Sequence, residues 1–151
     1  MKKVFFPGSF NPFTKGHADI VERMLQLADT IVIGIGVNSV KSPASDDIAL
    51  RVKAIQALYS GKEFAGRVEV TSYSGLTMEE AKSQGADCVV RGVRSAVDFD
   101  YEYNLAAANR KLFGIETLLL PADPALSCIS STLVRDIQKY GGKELSAKFL
   151  P

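Results

Sequence analysis

The sequence is poor in the residues that build disulfide frameworks and metal sites. Its 151 residues include one histidine, two cysteines and no tryptophan. Cys88 falls in an apolar run and Cys128 in a loop segment, and no CxxC spacing occurs, so a disulfide or a zinc site has little support. This cysteine usage favours a protein of a reducing compartment.

An excess of charge of either sign is also absent. The 18 Lys and Arg residues stand against 17 Asp and Glu residues, which gives a formal net charge of +1. A chain without a strong net field is not drawn non-specifically onto nucleic acid or a membrane surface. We therefore expect neither nucleic acid nor a membrane as a partner, whereas a small anionic ligand fits this composition.

Long apolar runs are missing as well. The start Met-Lys-Lys is followed by only a short apolar run before Pro7, far less than the apolar region of a signal peptide. No stretch approaches the length that spans a membrane. These features predict a soluble, cytoplasmic protein. With 46% hydrophobic residues, the chain can bury one core but not two, so we expect a single domain over 1–151.

What the sequence does contain is a regular alternation of two periodicities. Short β-branched runs, typical of buried strands, alternate with amphipathic stretches typical of helices. The predicted strands are 3–8, 30–38, 67–73, 87–92 and 115–121. The predicted helices are 16–29, 48–61, 77–85, 99–114 and 130–142, with Ser45 to Asp47 as N-cap residues of the second. This order predicts an α/β fold with a five-stranded, doubly wound parallel sheet that helices cover on both faces.

The loop after the first strand, GSFNPFTKGH at 8–17, concentrates residues suited to a phosphate group. In doubly wound sheets, ligands bind beyond the carboxyl ends of the strands, where this loop begins. Gly8 and Gly16 allow backbone to approach a ligand, and His17 lies in the first turn of the next helix, where N–H groups and the dipole favour anions. The GxGxxG and GxxxxGK[ST] patterns are absent here, so the sequence predicts a phosphate loop of another kind.

Two motifs at opposite ends of the chain carry a family resemblance. TKGH at 14–17 resembles the (T/H)xGH signature of nucleotidyltransferases, and ISSTLVR at 129–135 resembles their second signature, ISS(S/T)xxR. Lys41, RGVR at 91–94 and DFDYE at 98–102 lie where phosphopantetheine adenylyltransferases carry their pattern. The sequence resembles this family over essentially its whole length.

The resemblance implies a Rossmann-like nucleotidyltransferase fold and a specific reaction. Members of this family transfer AMP from ATP to 4'-phosphopantetheine, which gives dephospho-coenzyme A and pyrophosphate in coenzyme A synthesis. Mg²⁺ would arrive bound to ATP, with no metal ligand from the chain. The family also implies a homohexamer, with dephospho-coenzyme A and coenzyme A as product and feedback ligands. Ser9 and Asn11 depart from the family pattern, in which many members have Thr and Asp; Ser9 keeps the hydroxyl.

The resemblance further implies a set of site residues. The catalytic residues would be His17, Lys41 and Arg91, and those that bind 4'-phosphopantetheine would be Ser9, Lys41, Thr77 and Arg91. The ATP-binding residues would be Ser9, Phe10, His17, Gly92, Val93, Arg94, Glu102, Leu126, Ser127, Cys128, Ile129, Ser130, Ser131 and Thr132. The polar loop 38–47 is expected to close over the substrate.

Most of these residues also have an ordinary structural interpretation as helix caps, ion pairs or solvated charges. The alternatives are caps for His17, Ser130 and Ser131; ion pairs of Arg91 and Arg94 with Asp98 and Asp100; and solvated surface charges for Lys15, Lys41 and Glu102.

Two other functions stay open from the sequence. The first is a nicotinate mononucleotide adenylyltransferase or a cytidylyltransferase, although such relatives usually have His where this chain has Thr14 and lack the combination of Lys41 with RGVR. The second is a non-catalytic nucleotide-sensing module of flavodoxin-like shape. It would explain the fold and the glycines but not two separate phosphate-binding signatures.

Overall fold

The described residues form a sheet of five parallel strands, as predicted. The computed structural model describes residues 1–37, 45–64 and 66–151. The strands are β1 (Lys3–Gly8), β2 (Thr30–Gly36), β3 (Val68–Tyr73), β4 (Cys88–Val93) and β5 (Glu116–Pro121). All four neighbouring pairs are parallel, which requires a crossover connection between successive strands.

The order of the strands creates the place for a ligand. It is β3-β2-β1-β4-β5, so the winding reverses between β1 and β4. β1 pairs with β2 at six positions but with β4 at only two, Val4↔Cys88 and Phe5↔Val89. Beyond these positions β1 and β4 no longer pair, and their carboxyl ends leave a crevice at the topological switch point, where ligands bind in such sheets.

Six helices connect or follow the strands in the described ranges. They are α1 (Lys15–Met24), α2 (Ser45–Leu58), α3 (Thr77–Ser83), α4 (Ala96–Phe113), α5 (Ser131–Tyr140) and α6 (Lys143–Ala147). The sequence predicted the first five but not α6, which is too short to show a helical period. Within this described part of the chain, no helix has the length and apolar character needed to cross a membrane.

The predicted start of α2 is wrong. We expected Ser45 to Asp47 to be N-cap residues before a helix starting at 48, but α2 already begins at Ser45. Asp47 therefore lies in the first turn, where its Oδ2 accepts a hydrogen bond from Arg51 Nη2 at 2.7 Å. The (i, i+4) pairing of these side chains stabilises the first turn.

The predicted start of α4 is also too late. The helix begins at Ala96 rather than at 99, because Ser95 is the N-cap and its hydroxyl accepts the N–H of Asp98 at 3.2 Å. Its end is as expected, since Gly114 has a φ of 65° and closes the helix in the left-handed region.

The central strands are buried on both faces. Along β1, Val4 and Phe6 pack into the core on one side of the sheet, while Phe5 packs with Val32 and Val89 on the other. Burying a side chain of this size contributes roughly 1.5–3 kcal/mol relative to leaving it exposed. The two cores hold β1 and β4 rigidly beneath the crevice.

Arg67, just before β3, fixes the end of α1 against the sheet. Its guanidinium donates to the carbonyl oxygens of Leu25, Ala28 and Asp29, with Nη2 2.8 Å from Ala28 O and Nε 2.9 Å from Asp29 O. Leu25 is the C-cap of α1, where carbonyls lack partners within the helix and a cation matches the dipole, and Ala28 and Asp29 belong to the turn that leads to β2.

Candidate active site

The loop after β1 is held in a single, tightly packed conformation. Phe10 has a φ of 46°, in the left-handed region, and its side chain is 2% exposed. A Cβ at Gly8 would lie 2.8 Å from the Phe10 ring, so this close approach requires glycine. Arg51 Nη1 donates to the carbonyl of Ser9 at 2.9 Å. A helix on one side and an aromatic ring on the other therefore fix the phosphate loop.

His17 is held through one ring nitrogen, and no described residue forms a hydrogen bond with the other. The backbone N–H of Thr14 donates to His17 Nδ1 at 2.9 Å, and Thr14 Oγ1 lies 3.0 Å from the same nitrogen. An Nδ1 that accepts a hydrogen bond carries no proton, so the neutral ring carries its proton on Nε2. His17 is thus part of the helix cap, as one alternative proposed, and also presents an Nε2–H donor.

The surroundings of His17 keep the ring neutral. The rings of Phe10, Phe13 and Phe6 surround it with centroids 5.0, 5.4 and 6.2 Å away. Burial, which is the largest cause, and the positive charges of Arg94 and Arg91 together lower the pKa of His17 from 6.5 to about 4. At pH 7 the side chain is therefore a neutral hydrogen-bond donor.

A cavity of about 330 Å³ lies at the carboxyl ends of β1 and β4 and brings most of the predicted site together. His17 and the start of α5 both face this cavity, as the two motifs predicted. The predicted residues that line it are Ser9, Phe10, His17, Arg91, Gly92, Arg94, Glu102, Leu126, Ile129, Ser130, Ser131 and Thr132.

Other predicted residues lie elsewhere. Val93 is buried, Cys128 is exposed, and neither they nor Ser127 line this cavity. Thr77 lines a neighbouring cavity. Lys41 and most of the 38–47 loop lie outside the described residues.

α4 supplies a carboxylate to each arginine of the RGVR segment. Arg94 Nε donates to Asp98 Oδ2 at 3.1 Å, which is the surface ion pair that one alternative proposed. Arg91 pairs with Glu102 instead of Asp98 or Asp100, through contacts of 2.6 and 2.9 Å. Both pairs border the cavity.

The start of α5 fixes the phosphate loop from the other end of the chain. Ser131 Oγ donates to the carbonyl of Pro12 at 2.8 Å, and Arg135 Nη1 donates to the carbonyl of Asn11 at 2.6 Å. Ser130 is the N-cap, as the structural alternative proposed, because its Oγ accepts the N–H of Leu133 at 3.0 Å. The helix N-terminus still faces the cavity, where its dipole favours an anion.

The second cavity, of about 380 Å³, adjoins the first and is more apolar. Both cavities are lined by Pro7, Gly8, Arg91 and Glu102. The second one extends between α3 and α4, and its other lining residues are Gly36, Tyr73, Leu76, Thr77, Met78, Val89, Leu105, Ala106, Asn109, Phe113 and Thr117. The hydroxyl groups of Thr77 and Tyr73 are 2.9 Å apart and form a hydrogen bond.

Lys15 has a structural role that the sequence did not suggest. We expected a solvated charge, but Lys15 Nζ donates to the carbonyl of Lys148 at 2.8 Å, and its backbone N–H donates to that of Phe149 at 2.9 Å. The segment that includes α6 is thereby attached to the first residue of α1.

Sequence analysis missed several residues of the site. Arg135 closes the ISSTLVR motif, so its position in the motif was the signal that could have identified it. Asp98, Leu105 and Asn109 lie on α4 and line one of the two cavities, but their side chains are typical of any half-exposed helix. Among the described residues no group of three or more His, Cys, Asp or Glu side chains is placed to hold a metal ion.

Known proteins resemble this chain in sequence over its full length. The profile of the cytidylyltransferase-like family matches residues 5–137. The phosphopantetheine adenylyltransferase of Bacteroides thetaiotaomicron is 45% identical over 151 residues, which are 100% of this chain and 96% of that protein. That of Cytophaga hutchinsonii is 44% identical over 142 residues, with coverage of 93% and 92%. The chain therefore belongs to the cytidylyltransferase-like nucleotidyltransferases and, among these, to the phosphopantetheine adenylyltransferase family.

Solved structures share the fold at much lower identity. Nicotinic acid mononucleotide adenylyltransferase of Plasmodium falciparum, complexed with NaAD, has a TM-score of 0.63 at 14% identity and covers 99% of this chain and 91% of its own. A bifunctional NMN adenylyltransferase/ADP ribose pyrophosphatase of Francisella tularensis, complexed with AMP and a Mn ion, has a TM-score of 0.56 at 18% identity, covering 94% of this chain and 42% of its own. The predicted Rossmann-like nucleotidyltransferase fold is confirmed, and the chain is a nucleotidyltransferase.

Proposed function

We propose that this chain transfers AMP from ATP to 4'-phosphopantetheine, giving dephospho-coenzyme A and pyrophosphate in coenzyme A synthesis. One observation supports this reaction best. A polar cavity bordered by His17 and the start of α5 adjoins an apolar one, and Arg91 borders both. This arrangement suits two substrates that occupy one cavity each and meet at a phosphoryl group beside Arg91.

The chemistry of the acceptor explains the residues of the site. A phosphate monoester has a second pKa near ~6 and is largely dianionic at neutral pH, so its oxygen attacks without a general base. That oxygen forms a bond to the α-phosphorus of ATP, and the bond from this phosphorus to the β-phosphate oxygen breaks. Catalysis then consists of positioning the substrates and stabilising the charge that develops.

In this proposal His17 Nε2–H donates to an oxygen of the α-phosphate. The ring remains neutral throughout, because its second nitrogen accepts from Thr14 and its pKa is far below 7. Arg91 and Lys41 hold the phosphate of the acceptor in line for attack, with Ser9 close to the reacting groups. Loss of one such transition-state donor typically lowers kcat by roughly 10²–10³.

The nucleotide occupies the polar cavity. The N-terminus of α5, with Ser130 to Thr132, binds the β- and γ-phosphates through backbone N–H groups and the helix dipole. Arg94 supplies further positive charge at the cavity border. Mg²⁺ enters as part of the substrate MgATP and keeps much of its water shell, so it needs no cluster of carboxylates from the chain. The remaining nucleotide contacts come from Phe10, Gly92, Leu126 and Ile129, which line this cavity.

The pantetheine arm occupies the apolar cavity. Its chain of methylene and amide groups matches a wall of Leu76, Met78 and Leu105 with the polar side chains of Thr77 and Asn109 among them. Apolar contact surface with a few polar groups is the usual character of such sites.

Several wider properties complete the proposal. The chain acts as one nucleotidyltransferase domain over 1–151, in the cytoplasm, and assembles as a homohexamer. Coenzyme A acts as a feedback ligand.

A substrate comparison tests the proposed reaction. The pure protein is mixed with MgATP and either 4'-phosphopantetheine or nicotinate mononucleotide, and pyrophosphate release is followed. We expect release with 4'-phosphopantetheine alone. Release only with the nicotinate compound, or with neither, would overturn the proposal.

A further inference from the structure

Glu102 borders both cavities, and each of its two carboxylate oxygens accepts a hydrogen bond from Arg91. The residue is 7% exposed. Its Oε1 accepts from Arg91 Nη2 at 2.6 Å and its Oε2 from Arg91 Nε at 2.9 Å. This is the two-point geometry in which Arg and a carboxylate hold each other most firmly.

Arg91 makes a third hydrogen bond, at the point where β1 and β4 stop pairing. Its Nη1 donates to the carbonyl of Pro7 at 2.9 Å. Pro7 lies beyond Phe5↔Val89, the last pair that joins β1 to β4, so the guanidinium bridges two strands that no longer pair. Three of its five N–H groups are therefore engaged, and one on each Nη is left at the junction of the two cavities.

We propose that Glu102 is a positioning residue for the reaction, which acts by holding the Arg91 guanidinium across the gap between β1 and β4. The inference rests on the proposed function, in which Arg91 holds the acceptor phosphate. It assigns to Glu102 a role other than the nucleotide contact that the family resemblance implies.

The physical reason lies in the flexibility of arginine. A free Arg side chain loses rotamer entropy when it binds, and it can move by more than the reaction tolerates. Glu102 removes that freedom before the substrate arrives, and it also offsets the positive charge. The remaining two N–H groups act as oriented donors, and this orientation raises kcat more than it raises the affinity for substrate.

The substitution Glu102→Gln tests this role. We expect kcat to fall by about 10²-fold, because a loosely held guanidinium misplaces the acceptor phosphate. The KM for 4'-phosphopantetheine should not rise, since the released Arg91 carries an uncompensated positive charge beside that phosphate. A rise in the KM for ATP would instead identify Glu102 as a nucleotide ligand and overturn the proposal.

A double-mutant cycle separates action through Arg91 from independent action. Arg91→Met is combined with Glu102→Gln, which also removes the unpaired buried carboxylate of the single Arg91 variant. If Glu102 acts through Arg91, the second substitution lowers kcat no further once Arg91 is gone. Additive losses in kcat would overturn the proposal. The thermal midpoint of each variant checks that it is folded.

Glu116→Gln is the matched control. Glu116 also pairs with an arginine, Arg110, at 3.0 Å, but both side chains are exposed and neither borders a cavity. We expect wild-type kcat and KM. The acceptor for these assays is the compound with which the wild-type chain releases pyrophosphate. If that compound is nicotinate mononucleotide alone, the proposed substrate is wrong, but the same double-mutant cycle with that acceptor still tests the role of Glu102. A wild-type chain active with neither acceptor would overturn both.

Discussion

At the scale of one residue, the surroundings of His17 determine which ring nitrogen carries the proton. Thr14 donates to Nδ1, and the phenylalanine rings and two arginines disfavour the charged form. The side chain is therefore a donor of fixed direction whose protonation state does not change near neutral pH. This suits a reaction in which the nucleophile needs no base.

We predict that His17→Ala lowers kcat by roughly 10²–10³ while the protein stays folded, because one transition-state donor is lost. Pyrophosphate release and the thermal midpoint measure the two effects. Since His17 is the only histidine, nitrogen-proton correlation NMR reads its tautomer and pKa directly. We expect the spectra to show the proton on Nε2 and a His17 pKa of about 4. Near-normal turnover of the variant would remove His17 from the mechanism.

The same pKa shift affects stability in a defined pH window. An unfolded chain binds a proton at this ring near 6.5, whereas the folded chain does so only near 4. Between these values the unfolded state binds more protons, so stability falls as the pH falls from 6.5 to 4. Urea midpoints measured across this range should fall more steeply for the wild-type chain than for His17→Ala, which serves as its control.

Sequence motifs identified most residues of the polar cavity but not their partners. TKGH and ISSTLVR placed His17 and Ser130 to Thr132 correctly, because their positions after a strand and at a helix start decide where they lie. The pairing of Arg91 with Glu102 depends on the distance between β4 and a later turn of α4. The spacing of residues along the sequence does not reveal this distance, and Asp98, which is closer to Arg91 in the sequence, was an equally suitable partner.

At the scale of elements, the attachment of α1 to the sheet depends on Arg67. Three carbonyl oxygens near the end of α1 share its guanidinium. This contact lies at the start of β3, away from the carboxyl ends of the strands, so it concerns stability rather than chemistry.

We predict that Arg67→Met lowers the free energy of unfolding by about 1–3 kcal/mol, because partly buried carbonyls lose their donor. Arg110→Met is the control, since Arg110 makes an exposed ion pair, and its effect should stay within about 0.5 kcal/mol. Urea denaturation measures both. Equal effects of the two substitutions would show that the carbonyl contacts contribute nothing, and kcat should change in neither variant.

The pattern of apolar residues predicted the elements well and their ends less well. All five strands were predicted because each is a short apolar or β-branched run, continuous in the buried central strands β1, β2 and β4 and partly exposed in the edge strands β3 and β5. The starts of α2 and α4 were missed for local reasons: Asp47 pairs with Arg51 inside the helix, and Ser95 caps before the periodic residues begin. α6 has only five residues and shows no period.

At the scale of the whole molecule, the two ends of the chain meet at the site. Ser131 and Arg135 bind the carbonyls of the first loop, and Lys15 holds the segment after α6. The order of the strands, which the sequence did not predict, makes this meeting possible because β1 lies in the centre of the sheet.

We predict that removal of residues 143–151 lowers both stability and kcat. The N–H of Lys15 loses the Phe149 carbonyl, which costs about 0.5–1.5 kcal/mol, and the first turn of α1 carries His17. Removal of Leu150 and Pro151 alone keeps that carbonyl and should have little effect. Hydrogen exchange at the first turn of α1 and pyrophosphate release measure the outcome, and full activity of the longer truncation would contradict it.

The long sequence separation between the phosphate loop and its restraints also bears on folding. Ser131 and Arg135 bind carbonyls of Pro12 and Asn11, which lie 119 and 124 positions earlier in the sequence. Contacts of such long range carry a large loop-closure entropy, so we expect the loop to reach its binding conformation late in folding, after the local helices have formed.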